Sequence, residues 1–275
     1  MKNMKKLLVL GLALVMSVGL LTACGGTQTG NADTPAPTAS TPVETGEPTG
    51  LTTVEAGKLT MSTNAAFPTY EMTTDDGGFA GIDVEIAGAI AAKLGLELEI
   101  LDMDFDAALL AAQEGKSDMV MAGVSVTEDR LLVMDFSNSY ATAKQVIIVK
   151  EGSDVTVDNL GEQMIGTQRA TTGNIYCTDD YGEEHVIAYD NGASAVQALL
   201  NGQVDCVVID SAPAEAFVAA NAGLVILETE YVTEEYAIGM AKGNTALVDA
   251  VNGALAELTA DGTVQAIIDK YITAE

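Results

Sequence analysis

Residues 110–121 read LAAQEGKSDMVM, and residues 199–208 read LLNGQVDCVV. In each stretch a helical apolar pattern stops at a glycine, Gly115 or Gly202, and an aspartate follows three residues later, just before an apolar run. A glycine stop and a short apolar run are typical of a helix that turns into a buried strand. Because the pattern occurs twice, the sequence predicts two lobes of similar construction.

Apolar runs alternate with helical patterns through the rest of residues 58–275, which predicts an α/β fold. An amphipathic helix is predicted to begin at Asp83 and to stop at Gly95. The other helices are predicted at residues 106–113, 245–258 and 262–271, and the strands at residues 59–62, 96–101, 119–122, 144–150, 164–166, 186–189, 204–209, 224–227 and 236–241.

The order of these elements predicts that the chain leaves one lobe, builds a second and returns to the first. Lobe 1 is predicted to comprise residues 58–142 and 238–275, and lobe 2 residues 143–237. The two crossings, near residues 141–144 and 233–237, are predicted to form a two-strand hinge.

The N-terminal segment has the pattern of an export signal. Three lysines in the first six residues precede an apolar run at residues 7–21, which is shorter than the roughly 20 residues of a membrane-spanning helix. We expect residues 1–23 to be removed; the alternative for Cys24 is a chance cysteine beside an ordinary cleavage site. Residues 24–57 are rich in Thr, Pro and Gly and are predicted to form a disordered tether.

The charge of the chain excludes one class of partner. It carries 12 basic and 40 acidic residues, a formal net charge of −28. Nucleic-acid binding relies on basic patches, so no nucleic-acid partner is expected. Cys177 and Cys206 are either a disulfide or two buried thiols. The sequence has no metal-site spacing, and no cofactor is expected.

Polar or aromatic residues follow four of the predicted strands, where α/β sheets bind ligands. Arg130 suits a carboxylate, helped by Ser125, while Asp210 suits an ammonium group. Thr171 and Thr172 open a helix and add hydroxyl and N–H donors. The remaining predicted lining residues are Asn64 for the side-chain tip, Phe67 and Phe105 for apolar walls, and Gly123.

Each of these residues also has a purely structural interpretation. Arg130 can cap a short helix or pair with a surface carboxylate. Thr171, Thr172 and Asp210 can be helix caps, and the two phenylalanines can be core residues. The functional interpretation rests on their joint placement after four strands.

Several motifs in order resemble the family 3 bacterial solute-binding proteins, the polar amino-acid binders of ABC transporters. The similar runs cover residues 58–271: LTMSTNAAFPTYE, GIDVEIAGAIAAKLGLELEI, AGVSVTEDR, MDFSNSY, GTQRATTG, NGQVDCVVID and VNGALAELTADGT. The resemblance implies a two-lobed periplasmic-binding-protein type II fold, and a lipobox at Leu21–Cys24 with a diacylglyceryl group on Cys24.

The same resemblance assigns roles within the site. It implies that Arg130 and Ser125 hold the ligand carboxylate with the help of the two threonines. It implies that Asp210 binds the amino group and that Phe67 stacks on the ligand. Asn64 is neutral, and Arg169 is expected to bring a cationic head near the pocket mouth. These two features favour a neutral polar ligand such as glutamine, or a broad polar specificity, over arginine or lysine.

Three functions are compatible with this sequence. The first is an extracytoplasmic, lipid-anchored and monomeric protein that delivers an amino acid to an ABC permease and its ATPase. The second is an enzyme similar to cyclohexadienyl or arogenate dehydratase, with Asp210 as the only obvious general acid. The third is a sensor domain, which requires a separate signalling partner. The transport function accounts best for Asp210, so we expect no enzymatic activity.

Overall fold

A computed structural model describes residues 51–227 and 231–272 of the chain. The predicted signal peptide, Cys24 and most of the predicted tether lie outside the described residues. No helix within the described ranges is both long and apolar enough to cross a membrane.

Sheet I has five strands in the order β5-β1-β6-β14-β7. Strand β1 (Lys58–Thr63) runs parallel to β5 (Glu97–Asp102) and to β6 (Met119–Val120). Strand β14 (Gly239–Ala241) lies antiparallel between β6 and β7 (Met134–Phe136). The carboxyl ends of β1, β5 and β6 therefore meet at one edge of sheet I.

Helices α1 (Ile82–Leu94) and α2 (Phe105–Gln113) connect the parallel strands of sheet I. The predicted stripe of α1 is buried, with Ile86 and Ile90 fully inaccessible to solvent. The helix ends where Gly95 adopts a left-handed conformation with a φ of 70°. A glycine tolerates this conformation without steric cost, so the predicted stop is confirmed.

The last two helices, α7 (Thr245–Ala260) and α8 (Thr263–Tyr271), pack against α1. The backbone N–H of Gly81, which precedes α1, donates a hydrogen bond of 3.2 Å to the hydroxyl of Tyr271 in α8. The C-terminal end of the described chain therefore belongs beside sheet I.

Sheet II is built around the ten-residue strand β8, which is antiparallel to β11, β12 and β13. Strand β9 runs parallel to β10 and β11. The strands are β8 (Ala141–Lys150), β9 (Ile165–Gln168), β10 (Val186–Tyr189), β11 (Cys206–Asp210), β12 (Leu224–Ile226) and β13 (Val232–Tyr236). The helices are α4 (Thr172–Tyr181), α5 (Gly192–Leu200) and α6 (Ser211–Ala220), besides short 3-10 turns at Val157–Glu162 and Glu183–His185.

The pattern repeated in the sequence has the same structure in both sheets. Gly115 and Gly202 both follow a helix with left-handed φ angles of 67° and 71°. A carboxylate oxygen of Asp118 accepts a hydrogen bond of 2.7 Å from the backbone N–H of Thr60 within β1. Asp205 accepts one of 2.8 Å from the backbone N–H of Met164, before β9. In each sheet the aspartate therefore attaches the turn between helix and strand to the backbone of the neighbouring strand.

The sequence missed a small third sheet of three short strands. It consists of β2 (Ala66–Phe67), β3 (Glu71–Thr73) and β4 (Phe79–Ala80), paired antiparallel in that order. Gly81 closes it with a φ of 132°, and a Cβ at this position would lie 2.1 Å from the carbonyl oxygen of Tyr70. The strands contain only two or three residues each, too few for an alternating pattern to show.

Two passages of the chain link sheets I and II, and they lie side by side. Between the sheets, the backbone N–H of Tyr140 donates to the carbonyl of Tyr236 at 3.0 Å. The single strand predicted at residues 236–241 is wrong, because β13 ends at Tyr236 in sheet II and β14 begins at Gly239 in sheet I. Ala237 and Ile238 are fully buried at this passage.

Cys177 and Cys206 are buried in the core beside β8 and β11, and both thiols are free. Burial raises the pKa of each thiol to about 12. Within the part of the chain that the structure describes, no group of His, Cys, Asp and Glu side chains is arranged to hold a metal ion.

Candidate functional site

A cavity lies between the strand ends of sheets I and II. All nine residues that the sequence singled out for ligand binding line it. Three further lining residues, Glu71, Ala122 and Gln168, were missed. The predicted residues in the lining are Asn64, Phe67, Phe105, Gly123, Ser125, Arg130, Thr171, Thr172 and Asp210.

Arg130 brings a positive charge into this cavity from helix α3 (Glu128–Val133), whose first turn is capped by Thr127. Its side chain is buried, and its two guanidinium nitrogens donate to the carbonyl oxygens of Ser125 at 2.9 Å and Ala170 at 3.0 Å. The ring centre of Phe105 lies 5.5 Å from the guanidinium carbon. Since carbonyls rather than carboxylates hold Arg130, its charge is available to an anionic group.

Asp210 supplies a buried carboxylate on the opposite side, at the end of β11. It occupies the N-cap position of α6 but makes no side-chain capping hydrogen bond. Among the described residues its Oδ1 atom has no hydrogen-bond partner. Burial raises the pKa of Asp210 to about 7, and the nearby Glu234 carboxylate adds to the increase.

The two threonines behave differently from the prediction. Thr171 caps α4, and its hydroxyl donates to the carbonyl of Gln168 at 2.7 Å. The Thr172 hydroxyl donates to Glu234 at 2.8 Å. Because both hydroxyl hydrogens are used within the protein, the donors that α4 offers to the cavity are the backbone N–H groups of its first turn.

A model of the bacterial extracellular solute-binding proteins, family 3, matches residues 59–274. This chain belongs to that family. The resemblance predicted from the sequence is thereby confirmed, and the α/β fold class agrees with the solved structures of relatives.

Individual relatives of this solute-binding protein bear different names. The probable histidine-binding protein of Neisseria gonorrhoeae is 30% identical over 280 residues, which cover 99% of this chain and 97% of the relative. The L-cystine-binding protein TcyJ of Escherichia coli (strain K12) is 28% identical, over 79% of this chain and 83% of its own. A crystal structure of a mutant of ArgBP from T. maritima matches with a TM-score of 0.75 and 36% identity, over 79% of this chain and 96% of that one.

A close contact between Gly123 and the ring of Phe67 shapes the aromatic wall of the solute-binding protein's cavity. Phe67 is buried on β2, and a Cβ at Gly123 would lie 2.9 Å from its ring. Gly123 has a φ of 56°, and its backbone N–H donates to Asp83 at 2.9 Å. Asp83 also accepts from the Tyr140 hydroxyl at 2.7 Å, so both of its oxygens are occupied. Burial raises the pKa of Asp83 to about 6.

Asn64 and Gln168 join the two sheets across the cavity. The amide nitrogen of Gln168 donates to Asn64 Oδ1 at 3.1 Å, and the amide nitrogen of Asn64 donates to the carbonyl of Met103 at 2.9 Å. Gln168 Oε1 is buried and lacks a partner within the described ranges. Its carbonyl end therefore remains as a free acceptor on the cavity wall.

Glu71 is the main omission of the sequence analysis. Its side chain is 0% exposed, it lines the cavity, and neither carboxylate oxygen has a hydrogen-bond partner among the described residues. Burial raises the pKa of Glu71 well above its ordinary value, and the neighbouring charge of Asp83 raises it further. The signal was an acidic residue directly after the aromatic segment FPTY.

Arg169 lies outside the cavity lining. Its guanidinium is half exposed, pairs with Asp190 at 2.7 Å and does not line the cavity. The expected cationic head near the pocket mouth therefore pairs with a surface carboxylate and not with a group of the cavity lining.

Proposed function

We propose that this protein is the extracytoplasmic substrate-binding component of an amino-acid ABC importer and holds a polar amino acid in the cavity. The observation that carries the proposal is the pairing of Arg130 with Asp210 in one buried space. A buried guanidinium and a buried carboxylate fit the two charges of an amino-acid zwitterion. The names of relatives, which include histidine-, cystine- and arginine-binding proteins, agree with this ligand class.

In this proposal Arg130 binds the ligand carboxylate with Ser125 and the first N–H groups of α4. Asp210 binds the ammonium group, and Phe67 and Phe105 form apolar walls. Gly123 lets the backbone approach the ligand, and Asn64 shapes the side-chain end of the cavity. Support comes from the position of all these residues in the lining of one cavity.

We further propose that binding closes two lobes about a hinge. Lobe 1 comprises residues 58–142 and 238–275, and lobe 2 residues 143–237. The paired strands β8 and β13, which meet at Ala141 and Tyr236, carry the two crossings. A ligand that contacts both lobes binds the closed form more tightly and shifts the population towards it.

The cellular setting completes the proposal. Residues 1–23 are a lipoprotein signal peptide, residues 24–57 a tether, and Cys24 carries the lipid that anchors a monomeric protein to the cell membrane. An ABC permease and its ATPase receive the amino acid. The pattern of the N-terminal sequence supports this setting.

One observation favours a second candidate, a dehydratase of the cyclohexadienyl or arogenate type. The pKa of Asp210 is raised to about 7 by burial, which suits a general acid at neutral pH. An ammonium ligand explains the same carboxylate without any chemical step. We therefore rank binding above catalysis.

A thermal-shift screen of the purified protein against the twenty amino acids, prephenate and arogenate tests the proposal. A ligand at about 100 times its Kd raises the Tm by about 5–10 °C for a domain of this size. We expect this shift with one or a few polar amino acids and no turnover of prephenate or arogenate. No shift with any amino acid, or product formed from either acid, would contradict the proposal.

A further inference from the structure

A closed triangle of buried hydrogen bonds lies behind the cavity. The Thr172 hydroxyl donates to Oε2 of Glu234 at 2.8 Å. The amide nitrogen of Gln145 donates to the same oxygen at 2.9 Å and to the hydroxyl oxygen of Thr172 at 3.3 Å. All three side chains are buried, but only Thr172 belongs to the cavity lining. Within this triangle, Thr172 therefore separates Glu234 from a ligand in the cavity.

The triangle attaches the first turn of α4 to the paired strands β8 and β13. Gln145 lies on β8 and Glu234 on β13, and these strands pair antiparallel. Thr172 is the first residue of α4, and a Cβ at the next residue, Gly173, would lie 2.8 Å from Oε1 of Gln145. One turn later Tyr176 also approaches Glu234. Burial raises the pKa of Tyr176, and the carboxylate of Glu234 raises it further. The start of α4 is therefore packed tightly against the two strands that carry the chain between sheets I and II.

The opposite edge of β13 holds the loop that leads to Arg130. The backbone N–H of Val126 donates to the carbonyl of Glu235 at 3.1 Å, and Ser125 forms a β-bridge with Tyr236. The carbonyl of Ser125 in turn accepts a hydrogen bond of 2.9 Å from the guanidinium of Arg130. Strand β13 therefore lies between the two sets of donors that the proposed carboxylate site requires, Arg130 and the first N–H groups of α4.

The chemistry of Glu234 suits it to hold this arrangement. A carboxylate accepts hydrogen bonds that are roughly twice as strong as those to neutral acceptors. Burial lowers the pKa of Arg130, and the charge of Glu234 opposes this decrease, so the same carboxylate also acts on the guanidinium. The N–H groups at the start of a helix bind an anion only where they point at it. A small displacement of the first turn of α4 would therefore weaken the binding of a ligand carboxylate.

We infer that Glu234 is a positioning residue for ligand binding, which acts through Thr172 to hold the first turn of α4 in line with Arg130. This inference rests on the proposed function and adds to it a residue outside the cavity lining. Thr172 then helps the ligand indirectly, because its hydroxyl hydrogen is directed at Glu234 and its side chain fixes the backbone of α4.

Variants of β13 test this role by isothermal titration at pH 8. The ligands are L-arginine, L-histidine and L-glutamine, and the one that the wild type binds most tightly is used for every variant. Glu234→Ala should weaken it by at least ~10-fold, because the bond that holds α4 is lost. Glu234→Gln keeps an acceptor oxygen for Thr172 and should weaken it by less than ~3-fold. The matched control, Glu235→Ala, removes an exposed carboxylate from the opposite face of β13 and should change the affinity by less than ~3-fold.

A double-mutant cycle separates positioning through Thr172 from a general effect on the fold. In a Thr172→Val background, where the bond to Glu234 is already absent, Glu234→Ala should change the affinity by less than ~3-fold. Losses that multiply in the double variant would overturn the inference, because Glu234 would then act independently of Thr172. Urea denaturation of each variant measures its stability separately from its affinity.

Two further outcomes would overturn the inference and leave the proposed function standing: wild-type affinity in Glu234→Ala, or an equal loss in Glu234→Ala and Glu234→Gln. If Glu234→Ala does not fold, Glu234→Asp decides, because it keeps the charge and withdraws the carboxylate from Thr172 by one methylene group. Glu234→Asp should lose at least ~3-fold in affinity, and wild-type affinity in this variant would overturn the inference. Failure of all twenty amino acids to bind the wild type would remove the proposed function together with the inference.

Discussion

Arg130 and Arg169 are two arginines in contrasting environments, and their variants can be compared directly. Arg130 is buried and held by two main-chain carbonyls, whereas Arg169 is half exposed and paired with Asp190. We expect Arg130→Ala to weaken amino-acid binding by at least ~30-fold, because the buried charge that we propose to pair with the ligand carboxylate is lost. Arg169→Ala should change the affinity by less than ~3-fold, since surface ion pairs contribute little.

Isothermal titration of both variants measures these losses, and circular dichroism checks that each remains folded. Wild-type affinity in a folded Arg130→Ala protein would show that the ligand carboxylate binds elsewhere.

We expect Asp210 to make amino-acid binding dependent on pH. Burial raises its pKa to about 7, so the ligand-free carboxyl group is largely protonated at pH 6 and ionised at pH 8. An ammonium ligand needs the ionised form, so we expect affinity to increase as the pH rises through about 7 and the protein to release a proton on binding. Titrations between pH 5.5 and 8.5 measure the trend, and Asp210→Asn should flatten it. A slope that persists unchanged in Asp210→Asn would assign the effect to another group.

The same carboxyl group affects folding in the opposite direction. An unfolded aspartate has a pKa of about 3.9, so between about pH 4 and pH 7 the native Asp210 keeps a proton that the unfolded chain has lost. The contribution of Asp210 to ligand-free stability is therefore greatest below about pH 4 and declines as the pH rises to about 7. The difference in free energy of unfolding between the wild type and Asp210→Asn, measured in urea across this range, should follow that decline. A difference that is constant with pH would contradict the raised pKa.

Sequence reasoning found residues whose chemistry was visible next to a strand end. Arg130, Asp210 and Phe67 stand directly after apolar runs, so topology alone brings them together. Glu71 and Gln168 were not predicted. Glu71 lies in the three-residue strand β3, and Gln168 is the last residue of the buried strand β9. Only the packed structure shows that polar atoms of these side chains lack a hydrogen-bond partner within the described residues.

Among the secondary-structure elements, the turn after β6 requires a glycine at position 123, both for its backbone conformation and for the packing around it. Gly123 has a φ of 56°, and an added Cβ would meet the ring of Phe67 at 2.9 Å. Gly253 in α7 has no atom within 4 Å of an added Cβ. We expect Gly123→Ala to lower the free energy of unfolding by ~1–3 kcal/mol and to weaken the ligand. Gly253→Ala should raise it by ~0.5–1 kcal/mol through helix propensity, without effect on binding.

Urea denaturation and titration of both alanine variants measure these effects. The explanation fails if Gly123→Ala is as stable as the wild type, since the ring of Phe67 would then have room to move.

The elements that the sequence predicted well have strong patterns of their own. Helix α1 has a buried stripe and a glycine stop, and β10 occupies the predicted residues 186–189. The run at residues 236–241 failed because both pieces are apolar and buried, so hydropathy does not reveal that the chain passes from sheet II to sheet I between them. The two strands within residues 236–241 are distinguished by the strands with which they pair and not by their local composition.

At the scale of the whole molecule, two side-chain bonds fasten sheet I to sheet II across the cavity. They are the bonds from Gln168 to Asn64 and from Arg130 to the carbonyl of Ala170. We expect an amino-acid ligand to decrease the radius of gyration measured by small-angle X-ray scattering, as the closed form becomes dominant. Gln168→Ala should reduce ligand affinity by ~3–10-fold through loss of one closing bond. Gln197→Ala, on the exposed face of α5, is the matched control.

A ligand that binds tightly without any contraction would contradict closure. The repeated glycine and aspartate corners were predictable from the sequence, because each is a local pattern. The cross-cavity bonds were not, because each joins residues about 40 or more positions apart that no periodic pattern connects.

The interleaving of the two sheets has a consequence for how the chain acquires its structure. Strand β6 ends at residue 120, and its antiparallel partner β14 begins only at residue 239, whereas sheet II is drawn entirely from residues 141–236. Pairing across a long intervening segment is slow, and contiguous units order first. As the chain emerges from a membrane channel, sheet II would therefore fold before sheet I, although most of sheet I emerges first. Sheet I stays open to proteases and chaperones until the last helices have emerged. Pulsed hydrogen exchange during refolding should accordingly protect β8 and β11 before β6.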